Sequence, residues 1–193
     1  MTFIKGDGFE LRVLNESQYE AHLWTKHVMN SNDHMQFVMT GSTPMRWFEI
    51  QEEWKREREK GAVLFGVWDM KTCQGVDHPT FIGTCGAYTN REIYRSYETR
   101  FMIVDPTAIG KGLGLEVCKS LNRYCFTKLN AHRLWLGVSA INLRAVKTYL
   151  DALYKFEGRL VDDIYTNGAY YDVYRMAITR PEWSRVYEGV QQV

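Results

Sequence analysis

Charge of one sign is missing from this sequence: 24 lysines and arginines stand against 23 aspartates and glutamates in 193 residues. No global field draws such a chain onto DNA, RNA or an anionic membrane, so neither is expected as a partner. Long apolar runs are missing too. None approaches the roughly 20 residues that a spanning helix needs, and the opening MTFIKGDGFELRVLNES lacks the apolar stretch of a secretory signal. A cytoplasmic address is the expectation. Cysteine is scarce, and Cys73, Cys85, Cys118 and Cys125 fall at irregular spacings with no C-x-x-C pair, which indicates neither a zinc site nor a disulfide framework. His22, His27, His34, His78 and His132 form no ligand spacing either, so no metal is expected. What is abundant is aromatic: six tryptophans and twelve tyrosines suit a large apolar cleft and equally a well-filled core.

The length is enough for one sizeable core and short for two, so residues 1–193 read as one domain. Phe9 to Leu14 alternates as a strand, and Asn15 can cap a helix from Glu16 to Met29. Asn30 to Pro44 is polar and contains glycine, a loop or broken helix placed where a substrate gate could sit. Arg46 to Lys60 carries Trp47, Ile50 and Trp54 at helical spacing, and Gly61 stops it. Ala62 to Asp69, Thr80 to Thr89 and Tyr97 to Val104 read as an antiparallel meander, with Lys71 to Pro79 as a polar turn. Leu113 to Phe126 is a helix with one buried stripe, His132 to Val138 a strand, and Asn142 to Leu153 a helix. Phe156 to Tyr165 and Ala169 to Thr179 form a hairpin through Asn167-Gly168. This order, β α α β β β α β α β β, gives an α/β fold in the loose sense, or α+β, with a mixed sheet.

The most informative stretch is Val104-Asp105-Pro106-Thr107-Ala108-Ile109-Gly110-Lys111-Gly112-Leu113-Gly114, where an apolar strand turns at a proline and enters a helix through three alternate glycines. Without side chains in the way, the backbone N–H groups of such a turn, together with the helix dipole, can take a phosphate or diphosphate, and Lys111 adds a movable charge. The plainer reading is a glycine-rich connection that only packs helix against strand. A G-x-x-x-x-G-K-[ST] loop is not present, since a glycine follows Lys111. A dinucleotide fingerprint is not present either, since the turn follows a meander instead of a first strand.

These residues resemble the GNAT acyltransferase superfamily, whose phosphate turn has the form R/Q-x-x-G-x-G/A, matched in its glycines by Ile109 to Gly114. Asn142 to Tyr149, NLRAVKTY, resembles the second family signature N-x-x-A-x-x-x-Y, and Phe156-Glu157-Gly158 resembles the segment that ends it. Asn167 to Asp172, running on to Glu182-Trp183, is similar to the RimJ/RimL-type branch, which acetylates protein N-terminal and other amines. Two departures stand out: Ile109 where the family often has Arg or Gln, and Leu153-Tyr154 where Gly-Phe is usual.

The resemblance implies a mostly antiparallel sheet flanked by helices and acetyl-CoA as cosubstrate, without metal. It places the diphosphate on Ile109, Gly110, Lys111, Gly112, Leu113 and Gly114, the pantetheine or acetyl end near Asn142 and Ala145, and the thioester oxygen on strand N–H groups at Met102, Ile103 and Val104. Tyr149 is the candidate acid for the leaving thiolate, seven residues and about two turns after Asn142 on the same helix face; it also falls on the apolar line with Val146, Leu150 and Leu153, which reads as core. Glu98 is the candidate base, and an ion pair with Arg100 on the same strand face is the competing reading. Tyr94, Tyr97, Asp162, Asp163, Tyr165, Tyr170, Tyr171 and Asp172 are the candidate acceptor-side acids and aromatics, or ordinary strand composition. The acceptor is an amine: a protein N-terminus, a polyamine, an amino sugar or another small amine. A homodimer is compatible with all of this. The competing functions are a non-catalytic acyl-CoA-binding regulatory module of the same fold, and an interaction protein that uses its aromatic helices as a partner surface.

Overall fold

The computed structural model describes residues 2–14, 17–29, 46–70, 79–89 and 92–189. The expected Asn15 cap, the loop Asn30 to Pro44 and most of the turn Lys71 to Pro79 lie outside the described residues. The strands β1 (Thr2–Gly6), β2 (Phe9–Val13), β3 (Val63–Asp69), β4 (Thr80–Tyr88), β5 (Ser96–Ile103), β6 (Arg133–Ser139), β7 (Lys155–Thr166) and β8 (Ala169–Thr179) form one sheet in the order β1-β2-β3-β4-β5-β6-β8-β7. Helices α1 (Gln18–Met29), α2 (Trp47–Glu59), α3 (Leu113–Thr127), α4 (Leu143–Asp151) and α5 (Arg180–Tyr187) accompany it. The fold is mixed, with β5 and β6 as the one parallel pair among the described strands.

Two elements come in addition to those read from the sequence. β1 pairs with β2 around the two-residue loop Asp7-Gly8, with Gly8 at φ 84°. α5 starts from a reciprocal cap: the Thr179 N–H donates to Glu182 Oε2 at 2.9 Å and its hydroxyl donates to the same oxygen at 2.8 Å. The Asn167-Gly168 turn forms as expected, with both residues at positive φ (51° and 82°), which suits the right-handed twist of the flanking strands.

The sheet separates two cores. On one face α3 buries Val117, Cys118, Leu121 and Cys125 against Phe65, Val67 and Leu134. Burial pushes the Cys118 thiol up to about 12 and raises Cys85 and Cys125 further, so these three stay protonated and act as apolar packing. On the other face α1 and α2 close a smaller core around Trp24, Ile50, Trp54, Leu64 and Phe81, with the two indoles edge to face at 6.5 Å.

A candidate acetyl-transfer site

The pairing of β5 and β6 creates the site. They match for only three residue pairs, Ser96 to Arg133, Tyr97 to Leu134 and Glu98 to Trp135, whereas β4 follows β5 for six pairs and β8 follows β6 for seven. Beyond Glu98 the two strands part, and a cavity of about 920 Å³ fills the gap between them. Its lining brings together Glu98, Met102, Ile103, Ile109, Gly110, Gly112, Gly114, Asn142, Ala145 and Tyr149. Glu98 and Tyr149, 51 positions apart in sequence, thus border one cavity.

At one end lies the glycine turn. Asp105 holds it in shape by accepting from the Thr107 N–H at 2.8 Å and the Thr107 hydroxyl at 2.7 Å, which caps the short 3-10 turn Pro106–Ala108. Gly110 and Gly112 then take φ 83° and 79°, left-handed values that favour glycine, and a Cβ on either would meet nothing within 4 Å. The glycines are therefore required by conformation, and the space beside them is open. Gly112 caps α3 without any side-chain acceptor, so the first amides of the helix face that space with the positive end of the helix dipole behind them. Arg144, exposed at the start of α4, also lines the cavity and adds a guanidinium suited to phosphate oxygens.

In the middle stands α4. Asn142 caps it, accepting the Ala145 N–H on Oδ1 at 3.1 Å, so that one amide oxygen and one backbone donor of the predicted pantetheine contacts are engaged within the protein. Tyr149 is buried in the larger core, with its ring edge-on to Phe101 and to Tyr154 at centroid separations of 5.2 and 5.9 Å, and it also lines the cavity. The two readings of this residue are thus both partly met: it packs as core and it borders the cavity. Burial raises its phenol well above the ordinary tyrosine range, which keeps the proton on the oxygen at neutral pH.

The departure Leu153-Tyr154 has a clear structural consequence. Leu153 occupies the left-handed position after α4 at φ 72°, where glycine is the unstrained residue, and the Tyr154 N–H closes the helix end on Tyr149 O at 2.9 Å. The extra hydroxyl of Tyr154 is satisfied in the interior: it donates to Asn122 Oδ1 at 2.8 Å and lies 2.9 Å from Thr99 Oγ1. This network ties β5, α3 and the end of α4 together beneath the cavity.

On the opposite sheet face, Glu98 is held by Arg100 through two hydrogen bonds, Nε to Oε1 at 2.7 Å and a terminal nitrogen to Oε2 at 2.9 Å. The Arg100 guanidinium lies 4.3 Å above the Tyr88 ring. Glu98 lines the cavity as a member of this pair, so a role as base requires exchange of Arg100 for the amine.

Two expected thioester contacts are corrected by the strand pairing. The Val104 N–H donates to Ile82 O at 2.7 Å and its side chain is buried against α1 and α2, so it offers the thioester nothing. The amides of a strand alternate in direction, and Met102, paired with Thr84, shares the orientation of Val104; the N–H groups turned toward the gap are those of Phe101 and Ile103. The side chains of Lys111 and Leu113 do not line the cavity, Lys111 being exposed and Leu113 packed against the larger core, so what these two residues offer a diphosphate is their main-chain N–H groups. None of the acceptor-side acids and aromatics expected on the final hairpin and near β5 lines either of the two cavities at β5. Tyr97 belongs to the larger core, Asp172 is paired with Arg159, and Tyr165 stacks with Tyr170 on the exposed hairpin. Instead, α2 supplies Glu53 and Glu57 to a second, smaller pocket that adjoins the first through Arg100, Phe101 and Met102. The signal was the register of these glutamates, three and seven residues after Ile50 and so beside the buried stripe of α2. Ser139, buried at the end of β6 where it lines the cavity, carries a hydroxyl with no hydrogen-bond partner among the described residues. Among the described residues no cluster of His, Cys, Asp or Glu could hold a metal, and no helix is long and apolar enough to cross a membrane.

Comparison with known proteins agrees with this geometry. The spermidine N(1)-acetyltransferase of Vibrio cholerae is 36% identical over 91 residues, 47% of this chain and 52% of that protein. The enzyme of the same name from Escherichia coli K12 is 33% identical over 82 residues, 42% and 44% of the respective chains. The matched segment thus spans about half the length of these curated relatives. In three dimensions, the crystal structure of spermidine N-acetyltransferase from Vibrio cholerae in complex with CoA and spermine superposes with a TM-score of 0.78 at 25% identity, covering 92% of this chain and 99% of that one. These relatives carry polyamine names, not the names of the RimJ/RimL branch to which the final hairpin was likened. The model of the acetyltransferase (GNAT) domain matches residues 9–151, from β2 to the end of α4, and so includes both the glycine turn and the Asn142 to Tyr149 helix. The chain belongs to the GNAT acetyltransferase family.

Proposed function

We propose that the protein transfers the acetyl group of acetyl-CoA to a primary amine of a polyamine such as spermidine. The observation that carries this reading is one continuous cavity leading from the open left-handed glycines to Tyr149 and through the gap between β5 and β6 to Glu98. The polyamine class rests on the likeness to spermidine acetyltransferases and on the acids and aromatic rings of α1, α2 and β4 on the acceptor face.

In this reading the diphosphate lies on the amides between Gly110 and Leu115, with Arg144 beside it, and the pantetheine runs between β5 and β6 past Asn142. The Phe101 and Ile103 N–H groups receive the carbonyl oxygen as it becomes an oxyanion. A neutral amine nitrogen attacks the thioester carbon, the C–N bond forms, and the C–S bond breaks as the tetrahedral intermediate collapses. The thiolate takes the phenolic proton of Tyr149, and the amine proton leaves to water or to Glu98 once Arg100 releases it. Tyr149 is then reprotonated from solvent.

The test is CoA thiol release with spermidine, a peptide with a free N-terminus, an amino sugar and an aminoglycoside. Preferential release with spermidine supports the proposal. Release only with the peptide would move the protein to N-terminal acetylation. Stabilisation by acetyl-CoA without release from any amine would make it a binding module.

A further inference from the structure

We infer that Glu53 is a specificity residue that reads a second positive charge of the acceptor, held in the small pocket between α1, α2 and β4 while the reacting amine stands in the gap beside Glu98. The inference rests on the polyamine reading and adds a residue and a place to it. The pocket measures about 110 Å³ and is walled by Trp24, Trp54 and Tyr88, with Glu53 and Glu57 along one side. It shares Arg100, Phe101 and Met102 with the large cavity, so the two adjoin along β5.

Pairing decides which carboxylate is available. Glu98 is bound to Arg100, and Glu57 to Lys60 at 2.6 Å. Glu53 is half-buried and makes no ion pair or hydrogen bond among the described residues, so three carboxylates face two cations there and the surplus charge sits on Glu53. The Tyr88 phenol registers it: burial raises its proton affinity first, and the fields of Glu53 and Glu57 raise it further against the opposing pull of Arg100. Aromatic faces next to an uncompensated carboxylate suit an alkylammonium, whose methylenes lie on the rings while its charge meets both the quadrupole and the acid.

The experiment compares kcat/KM for spermidine and for hexylamine, which has a single charge, in wild type, Glu53→Gln and Glu53→Asp. The spermidine-to-hexylamine ratio should fall about tenfold in Glu53→Gln, a loss of about 1.4 kcal/mol, through KM for spermidine with kcat little changed. Glu53→Asp should recover most of it, and acetyl-CoA affinity should be equal in all three. An unchanged ratio in Glu53→Gln overturns the assignment, as does an equal loss for both amines. Failure of the wild type to acetylate spermidine instead removes the polyamine reading itself.

Discussion

The Tyr149 ring stands edge-on to Phe101, 5.2 Å between centroids at 77°, so that α4 is braced against β5 at the level where β5 and β6 separate. The contact gives one side chain two duties. The ring fills the core, and the raised phenol keeps a proton at the cavity wall. Tyr149→Phe retains the ring contact and removes the proton, so turnover should drop about 100-fold with acetyl-CoA affinity nearly unchanged. Steady-state rates alongside calorimetric titration of acetyl-CoA check this. Equal turnover in the variant would leave Tyr149 as packing alone.

Gly112→Val places a branched side chain at φ 79°, into the open space by the first amides of α3. Strain in the left-handed region costs about 1–2 kcal/mol, and the larger effect is on the ligand. Acetyl-CoA affinity should fall by at least about 100-fold, equivalent to roughly 2.7 kcal/mol. Titration of acetyl-CoA into a variant whose melting curve remains cooperative separates the two effects.

Leu153→Gly should stabilise the protein, because φ 72° at this helix end costs a side-chain-bearing residue about 1 kcal/mol that glycine does not incur. Leu153 also touches the larger core, so the net gain in denaturant midpoint is smaller than the conformational term. A lower midpoint would mean that its packing outweighs the strain.

Glu182 carries the clearest pH signature. Burial raises its pKa, but the Lys155 ammonium and the Thr179 N–H and hydroxyl together bring it down to about 2 from an ordinary 4.5. A depressed carboxyl contributes stability above its unfolded value and loses it as pH falls through the folded one. The contribution is therefore present at pH 7 and fades between about pH 4.5 and 2. Glu182→Gln should lower the thermal midpoint at pH 7 by an amount set by about 1–2 kcal/mol, with the difference from wild type shrinking at pH 3. A constant difference across that range would show that packing of α5, not its cap, is responsible.

Local chemistry made much of this legible in the sequence. The Asn167-Gly168 turn, the Gly61 stop after α2 and the buried stripe of α3 each depend on neighbouring residues alone. The T-R-P-E run at 179–182 is an equally explicit helix start, a capping threonine followed by a first-turn proline and a glutamate at the third helical position, although it directly continues the alternation of β8. The parting of β5 from β6 was not legible: alternation says which face a side chain takes, not where a partner strand leaves. For the same reason the amides facing the gap had to be assigned from pairing, which moved them to Phe101 and Ile103. The aspartates of the hairpin are the acids that local pattern singles out, whereas tertiary packing brings Glu53 and Glu57 of α2 to the pocket that Arg100 also lines.

A crystal structure of the protein with bound CoA tests the account most directly. The diphosphate oxygens should lie within hydrogen-bonding distance of main-chain N–H groups between Gly110 and Leu115, with the thiol directed toward the Tyr149 hydroxyl. A diphosphate bound anywhere else, with this turn vacant, would contradict it.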